Sequence, residues 1–496
     1  MWICRRLRPR GFHEKGTSLK KAVSFFLILC ASAVFLVSCG KKPARKGPPN
    51  VIIIVTDTLR ADRLHCYGSP GAFSSRIDAL ASEGVLYTDA VSSAPWTIPA
   101  HASLFTGLLP SSHKADCELA RLDDSFLTLA EILSGAGYQT AAFYSNPWLK
   151  ASTTNLMQGF NFVDEIPIGK KTFTSRSGDH GGSETYERIV RWMDRRLDRD
   201  RPFFLFVNFL ETHLPYDPTD EYRLKYLNEK ERPYVLPVQA ANLFNAKGIP
   251  FAEKDFELFK KLYDGCVNYL DFLVGRLLNR IKDNDLYEDS VIVLVSDHGE
   301  CLGEHGLLGH QFCLYETLLR IPLIIRYPAK DFKGGRRIDL PVQITDIFPT
   351  VLDLTGVHPT LPYPIQGRSL AREKTTIPGE RIRVAEYGRP CPSFLWNLVQ
   401  LNPKFDPSVY NKRLKAAYEG KLKAILSERG EEELYDLAAD PAEQRNLAGR
   451  EEKEFATLRV LLSEAFRSEG TPPSGPELSG LDEKIKKELS TLGYIQ

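Results

Sequence analysis

Val51-Ile52-Ile53-Ile54-Val55-Thr56 is an unbroken, mostly β-branched run that stops at Asp57. Such a run has no polar face, so it suits a strand covered on both sides, as in a largely parallel sheet. Three more runs have the same character. Ser290-Val291-Ile292-Val293-Leu294-Val295 ends in Ser296-Asp297-His298, and residues 202–209 lead to Glu211-Thr212-His213. Residues 321–326 make a fourth, although Pro322 disfavours its centre. Helical patterns lie between them, for example over 125–133 and 184–197. This alternation predicts an α/β fold with helices on both faces of one sheet. In such sheets ligands bind beyond the carboxyl ends of strands. Asp57, His213, Asp297 and His298 all fall there, which points to one shared site.

The 496 residues are 43% hydrophobic, which excludes a disordered chain or a disulfide-stapled mini-protein. Lys and Arg number 64 against 63 Asp and Glu, so no broad basic field for nucleic acid is expected. Thirty-two prolines and 35 glycines favour a loop-rich enzyme over a helical bundle.

Seven basic residues, Arg5 to Lys21, precede a 17-residue apolar run (22–38) and then Cys39. A basic region, an apolar core and small residues before a cleavage point make an export signal. Leu36-Val37-Ser38-Cys39 resembles a bacterial lipobox, in which the cysteine is lipidated. The expectation is a membrane-tethered lipoprotein facing the periplasm or the cell exterior, with residues 1–38 as its signal peptide. An uncleaved anchor is the alternative, because the run is only slightly short for a span. Residues 39–50 read as a basic, Pro-rich tether, 51–375 as the main domain and 376–450 as a small antiparallel sheet. Residues 451–496 read as a helical tail.

Of the nine cysteines, Cys66, Cys117, Cys266, Cys301, Cys313 and Cys391 belong to the body. None makes a CxxC pair, which disfavours a structural zinc ribbon. An exported compartment permits disulfides, and six cysteines allow 15 complete pairings.

The segment from Ser93 to Gly107 carries the chemistry. Pro99 is suited to a helix's first turn, and that helix would run to about Thr106. Thr97 then sits just ahead of it, where orphan N–H groups and the positive end of the dipole favour an anionic ester. A hydroxyl needs further activation to attack, which a coordinated metal supplies. The plain alternative makes Thr97 a helix cap. Asp57, Asp297 and His298 are of the right types to hold a divalent metal beside it.

These stretches resemble the sulfatase family of the alkaline phosphatase superfamily. The matching pieces are Pro49 to Asp57, Thr97-x-Pro-x-His-x-x-Leu-Phe-Thr-Gly107, and Ser296-Asp297-His298-Gly299-Glu300-x-Leu-Gly-Glu-His305. Later pieces are Asp346 to Thr350, Gln366 to Leu370 and Glu433 to Leu447. The resemblance spans about residues 48–450. It implies an α/β/α sandwich around a large mixed, mostly parallel sheet, with a small C-terminal sheet.

The departures point to a different ester. Family sulfatases carry Cys or Ser at the Thr97 position and oxidise it to formylglycine, an aldehyde that threonine cannot give. Their arginine four residues on is His101 here, and their Asp-Asn is Asp297-His298. Thr with Asp-His resembles superfamily members that move phosphoryl groups with zinc or manganese. The resemblance then implies a metal held by Asp57, Thr97, Asp297 and His298, with Thr97 as nucleophile. His213 and His310 contact the ester or assist the leaving group, and His101 joins them in substrate contact. Calcium would fit sulfatase-like chemistry instead. The substrate is a phosphate or sulfate ester of a glycan, lipid headgroup or small molecule. Two other readings stay open: a sulfuric ester hydrolase without formylglycine, and a lipid-anchored binding protein on this scaffold. His65, His113, His180 and His358 read as surface residues.

Overall fold

The computed structural model describes residues 47–117, 120–167, 179–371, 381–450 and 455–469. The signal peptide, Cys39, most of the tether and the tail beyond residue 469 lie outside them. Among the described residues no helix is long and apolar enough to cross a membrane.

Among the described residues, fourteen strands run in chain order: β1 Asn50–Thr56, β2 Val85–Val91, β3 Gln139–Tyr144, β4 Phe162–Glu165, β5 Phe203–Phe209, β6 Ser290–Val295, β7 Cys301–Leu302, β8 Leu308–Gly309, β9 Leu323–Arg326, β10 Arg336–Gln343, β11 Arg383–Tyr387, β12 Leu414–Glu419, β13 Leu422–Ser427 and β14 Glu432–Asp436. The main sheet has eight, in the order β10-β2-β9-β6-β1-β5-β3-β4. Its pairs are parallel except those of β9, which runs antiparallel to β2 and β6. The first expected strand is β1, fully buried at the centre between β5 and β6. The fourth expected strand is shorter than its run. It begins at Leu323, after Pro322, which cannot donate a ladder hydrogen bond.

The alternation along β1 explains the two layers. Val51, Ile53 and Val55 enter one apolar core, and Ile52 and Ile54 enter the other. The first core includes side chains of α2 (Thr97–Thr106), α3 (Leu129–Gly135), α7 (Ile347–Thr355) and α8 (Pro392–Leu401). The second includes α1 (Ser75–Glu83), α4 (Gly182–Arg195), α5 (Val238–Asn245) and the 31-residue α6 (Glu253–Asp283). The helix expected over 125–133 starts later, at Leu129. The reason is a capping box: Thr128 accepts from Glu131 N–H while the Glu131 carboxylate accepts from Thr128 N–H.

Residues 383–436 form the four-stranded antiparallel sheet β11-β12-β13-β14. Helix α9 (Ala456–Glu469) covers it through Leu458 and Leu462, which pack with Ala417, Ala424 and Leu434. A disulfide joins Cys117 to Cys391, with Cα atoms 5.3 Å apart, and ties the start of α8 to the loop after α2. Cys66, Cys266, Cys301 and Cys313 are thiols.

Candidate active site

The site lies beyond the carboxyl ends of β1, β3, β5 and β6. β1 delivers Asp57, and Thr58 follows with φ +58°. A β-branched residue rarely holds that left-handed conformation, and here it turns the Thr58 N–H onto Asp297 Oδ1 at 3.2 Å. The Thr212 hydroxyl donates to the Asp57 carbonyl and ties the ends of β1 and β5 together. β6 delivers Asp297 and His298. Gly299 follows because a Cβ there would stand 2.1 Å from the Thr317 carbonyl oxygen.

One ligand atom from each of Asp57, Asp297 and His298 lies within 4.8 Å of the other two, and all three residues are buried. Asp57 Oδ1, Asp297 Oδ2 and His298 Nε2 have no hydrogen-bond partner. His298 Nδ1 donates to the Gly299 carbonyl at 2.9 Å, which fixes the ring and presents Nε2 to the cluster. Burial pushes Asp57 up to about 8, and the Asp297 charge adds to the shift. Burial pulls His298 down, but its interactions with Asp297, the Asp57 charge and the bond to the Gly299 carbonyl together outweigh it and lift the ring to about 9. Two buried carboxylates and one imidazole therefore call for a positive charge. Their unsatisfied atoms fit a divalent cation.

Thr97 is buried and opens α2 as its first residue; Trp96 occupies the cap position and makes no side-chain cap bond. The cap reading of Thr97 is therefore corrected: its hydroxyl is left to the site. Asn146, two residues beyond β3, donates to Asp57 Oδ2 at 2.7 Å and stands 3.4 Å from Thr97 Oγ. Asn208 of β5 donates to the same Asp57 oxygen at 3.1 Å. Neither asparagine stands out in the sequence, because an amide inside or just after an apolar strand has no motif of its own.

His101 lies one turn along α2. Its Nδ1 donates to the Thr97 carbonyl at 2.9 Å and is 3.6 Å from Asp297 Oδ2. Burial lowers its pKa, against the nearby Asp297 charge. His213 and His310 line one cavity, with ring centres 4.9 Å apart, and the His310 ring is 4.6 Å from that of His298. His213 Nδ1 donates to the Leu214 carbonyl at 2.6 Å. Burial and the neighbouring His310 push His213 down to about 3. His310 Nδ1 meets Glu300 Oε1 at 3.1 Å, so Glu300 orients that ring. Glu304 pairs with Arg60 and His305 stacks on Tyr315, so both shape the loop. The surface reading holds for His65 and His358 and is corrected for His113 and His180. Those two are buried, His113 against Ser103 Oγ and His180 against the Leu210 carbonyl.

The Sulfatase family model matches residues 49–357. The arylsulfatase of Clostridium perfringens is 27% identical over 509 aligned positions, covering 90% of this chain and all of the relative. The multifunctional alkaline phosphatase superfamily protein PehA of Trinickia caryophylli is 26% identical and covers 65% of this chain and 76% of its own length. In structure, the phosphonate monoester hydrolase of Agrobacterium radiobacter matches with a TM-score of 0.67 at 22% identity. That match covers 85% of this chain and 95% of the hydrolase. The family match takes in well over half of the residues, including every strand that feeds the site, and the chain belongs to the sulfatase family.

Proposed function

We propose that the chain is a metal-dependent phosphoesterase that transfers a phosphoryl group from a phosphate or phosphonate ester to Thr97 and then to water or an acceptor alcohol. The observation that carries this reading is the Thr97 hydroxyl, buried at the start of α2 and joined through Asn146 to Asp57 of the cluster. Threonine offers a secondary alcohol, which oxidation turns into a ketone rather than an aldehyde, so Thr97 acts here as the alcohol itself.

Asp57, Asp297 and His298 would hold the cation, with Thr97 Oγ beside them; zinc or manganese suits this oxygen and imidazole set. A bound divalent ion supplies a Lewis acid that lowers the hydroxyl's pKa and offsets charge on the ester oxygens. Thr97 Oγ attacks phosphorus in line, and the bond to the leaving oxygen breaks. The neutral ring of His213 or His310 takes up the proton that Thr97 Oγ gives up and passes it to that oxygen. Asn146 holds Asp57 in place meanwhile. Water then attacks the phospho-threonine, the P–Oγ bond breaks, and the proton returns to Thr97.

A second reading, sulfuric ester hydrolysis, is favoured by the arylsulfatase likeness. Aryl phosphate monoesters and diesters assayed beside an aryl sulfate separate the two. Turnover of the sulfate alone would sink the phosphoryl assignment. Metal analysis of the wild type and of Asp297→Ala tests the cation: about one zinc or manganese per chain is expected, lost in the variant. Calcium in its place would favour the sulfate reading.

Export and lipidation at Cys39 complete the proposal. They rest on the basic region, the apolar run and Leu36-Val37-Ser38-Cys39. Release of the body from membranes by Cys39→Ala is the expected result.

A further inference from the structure

Helix α2 and strand β5 meet along two matching rows of side chains. On α2 the row is Thr97, His101 and Phe105, spaced one helical turn apart on one face. On β5 it is Phe204, Phe206 and Asn208, alternate residues that share one face of the sheet. Phe206 packs edge to face on Phe105, with ring centres 5.0 Å apart at 70°, and on His101 at 5.9 Å and 84°. Asn208 continues the row toward the carboxyl end of β5, where the reacting groups stand.

The polar end of this contact is a chain of hydrogen bonds. The Asn208 amide donates to Asp57 Oδ2 at 3.1 Å, and the same nitrogen stands 3.5 Å from His101 Nε2. A carboxylate oxygen only accepts, so Asp57 fixes which end of the amide is the nitrogen. Asn208 Oδ1 is buried and has no hydrogen-bond partner. The amide thus forgoes a bond at its oxygen while its nitrogen spans Asp57 and His101. On the other side of the ring, His101 Nδ1 donates to the Thr97 carbonyl at 2.9 Å and stands 3.6 Å from Asp297 Oδ2. The carbonyl only accepts, so Nδ1 carries a proton, and Nε2, which faces an N–H, is the accepting nitrogen. Both ring nitrogens are engaged within the protein, and the ring is fully buried.

We infer that His101 and Asn208 are positioning residues that bridge the Asp57 carboxylate to the backbone of Thr97, and that His101 does not touch the ester. The inference rests on the phosphoryl reading above and adds a second path beside Asn146. Asn146 reaches Thr97 at its hydroxyl, whereas this bridge reaches it at its carbonyl. It holds the first turn of α2 against the ends of β1 and β5, which keeps Thr97 Oγ aimed along the line of attack. The family resemblance implies substrate contact at His101 instead. The two roles separate in kinetics, because a uniform substrate contact supports KM and a positioning residue supports kcat.

The test is a double-mutant cycle on the full chain with His101→Leu and Asn208→Ala, with His101→Asn as a third variant. The metal-free proteins are titrated with zinc and manganese, and kcat and KM for bis(4-nitrophenyl) phosphate and 4-nitrophenyl sulfate are measured at saturating metal. His101→Leu and Asn208→Ala are each expected to lower diester kcat by ~10–100-fold with KM within about twofold, and Asn208→Ala to weaken metal binding about tenfold, the usual scale for an outer-shell partner. The double variant should lose no more than the worse single, in kcat and in metal affinity, because either cut opens the same bridge. His101→Asn places an amide N–H where Nδ1 stands, so it should recover part of the kcat that His101→Leu loses. It also takes the place of His101→Leu in the cycle if the apolar variant does not fold. A raised KM with unchanged kcat in the His101 variants would overturn the inference in favour of substrate contact. Losses that multiply in the double variant would overturn it too, because the two residues would then act separately. Both results leave the phosphoryl reading standing. Turnover of the sulfate without the diester overturns the phosphoryl reading, while the cycle on metal affinity still decides for or against the bridge.

Discussion

Asn146 donates its side-chain N–H to Asp57 Oδ2 across 2.7 Å, so a β3 loop residue fixes the carboxylate at the end of β1. Its Oδ1 accepts from the Trp148 N–H at 2.9 Å, which locks the amide so that its nitrogen faces the cluster. Asn146 thus links the Asp57 carboxylate, the Thr97 hydroxyl and the backbone of Trp148. Asn146→Ala is expected to weaken metal affinity by ~10–100-fold, the usual effect of removing an outer-shell partner, and to lower kcat even at saturating metal. Metal titration and steady-state kinetics on the same preparation check both. Unchanged affinity would show that Asp57 does not rely on this bond.

Thr97 is tested by three side chains. Thr97→Ala should lower kcat by at least ~10³-fold, because it removes the hydroxyl that Asn146 holds near Asp57. Thr97→Ser keeps the oxygen and should retain measurable activity. Thr97→Cys supplies the residue that sulfatases mature, and coexpression with a maturation system should raise its sulfate-to-phosphate activity ratio. An active Thr97→Ala would end the nucleophile assignment.

How far the sequence was readable follows from what each segment buries. β1 and β6 are covered on both faces, so their apolar runs announce them. β10 is an edge strand, largely exposed along Arg336 to Leu340, and its Arg-Arg-Ile-Asp-Leu-Pro sequence carries no pattern. Asp57, Asp297, His298 and His213 were legible because strand ends mark them. Asn208 hides inside β5, whose run signals only burial. Asn146 follows β3, a strand with the short sequence Gln-Thr-Ala-Ala-Phe-Tyr, and the strand-end rule finds it only once β3 is known. The Cys117–Cys391 pairing spans 274 positions, and spacing alone does not select it.

The cysteine pattern gives a direct count. The chain from Gly47 holds six cysteines and folds around its own two-layered core, so it suits this measurement. Denatured without reductant, it should take up four thiol labels, at Cys66, Cys266, Cys301 and Cys313, and six after reduction. Closing a loop of this length contributes at most about 5 kcal/mol by chain entropy, so reduction should lower the Tm clearly. Six labels before reduction would remove the bond. Two would show that Cys301 and Cys313, whose sulfurs lie 4.0 Å apart, are joined as well.

Glu211, outside the cluster of Asp57, Asp297 and His298, is expected to give the fold a pH dependence of its own. Its carboxylate is buried beyond β5; Oε1 accepts from the Gly182 N–H at 2.8 Å and Oε2 has no hydrogen-bond partner. Burial raises its pKa from 4.5 to about 8, with the nearby Asp179 adding to the shift. The folded state thus binds this proton more tightly than the unfolded state. Its contribution to stability is complete below the unfolded value of 4.5 and is lost as the pH rises through about 8. Glu211→Gln keeps the oxygen that accepts from Gly182 and removes the charge. The variant should therefore gain on the wild type as the pH rises, by roughly 5 kcal/mol at pH 9 relative to pH 4, an order-of-magnitude figure from the size of the shift. Urea melts of both proteins across that range measure the difference. A constant gap would show that Glu211 does not titrate in this window, and a gap that moves the other way would place its folded pKa below 4.5.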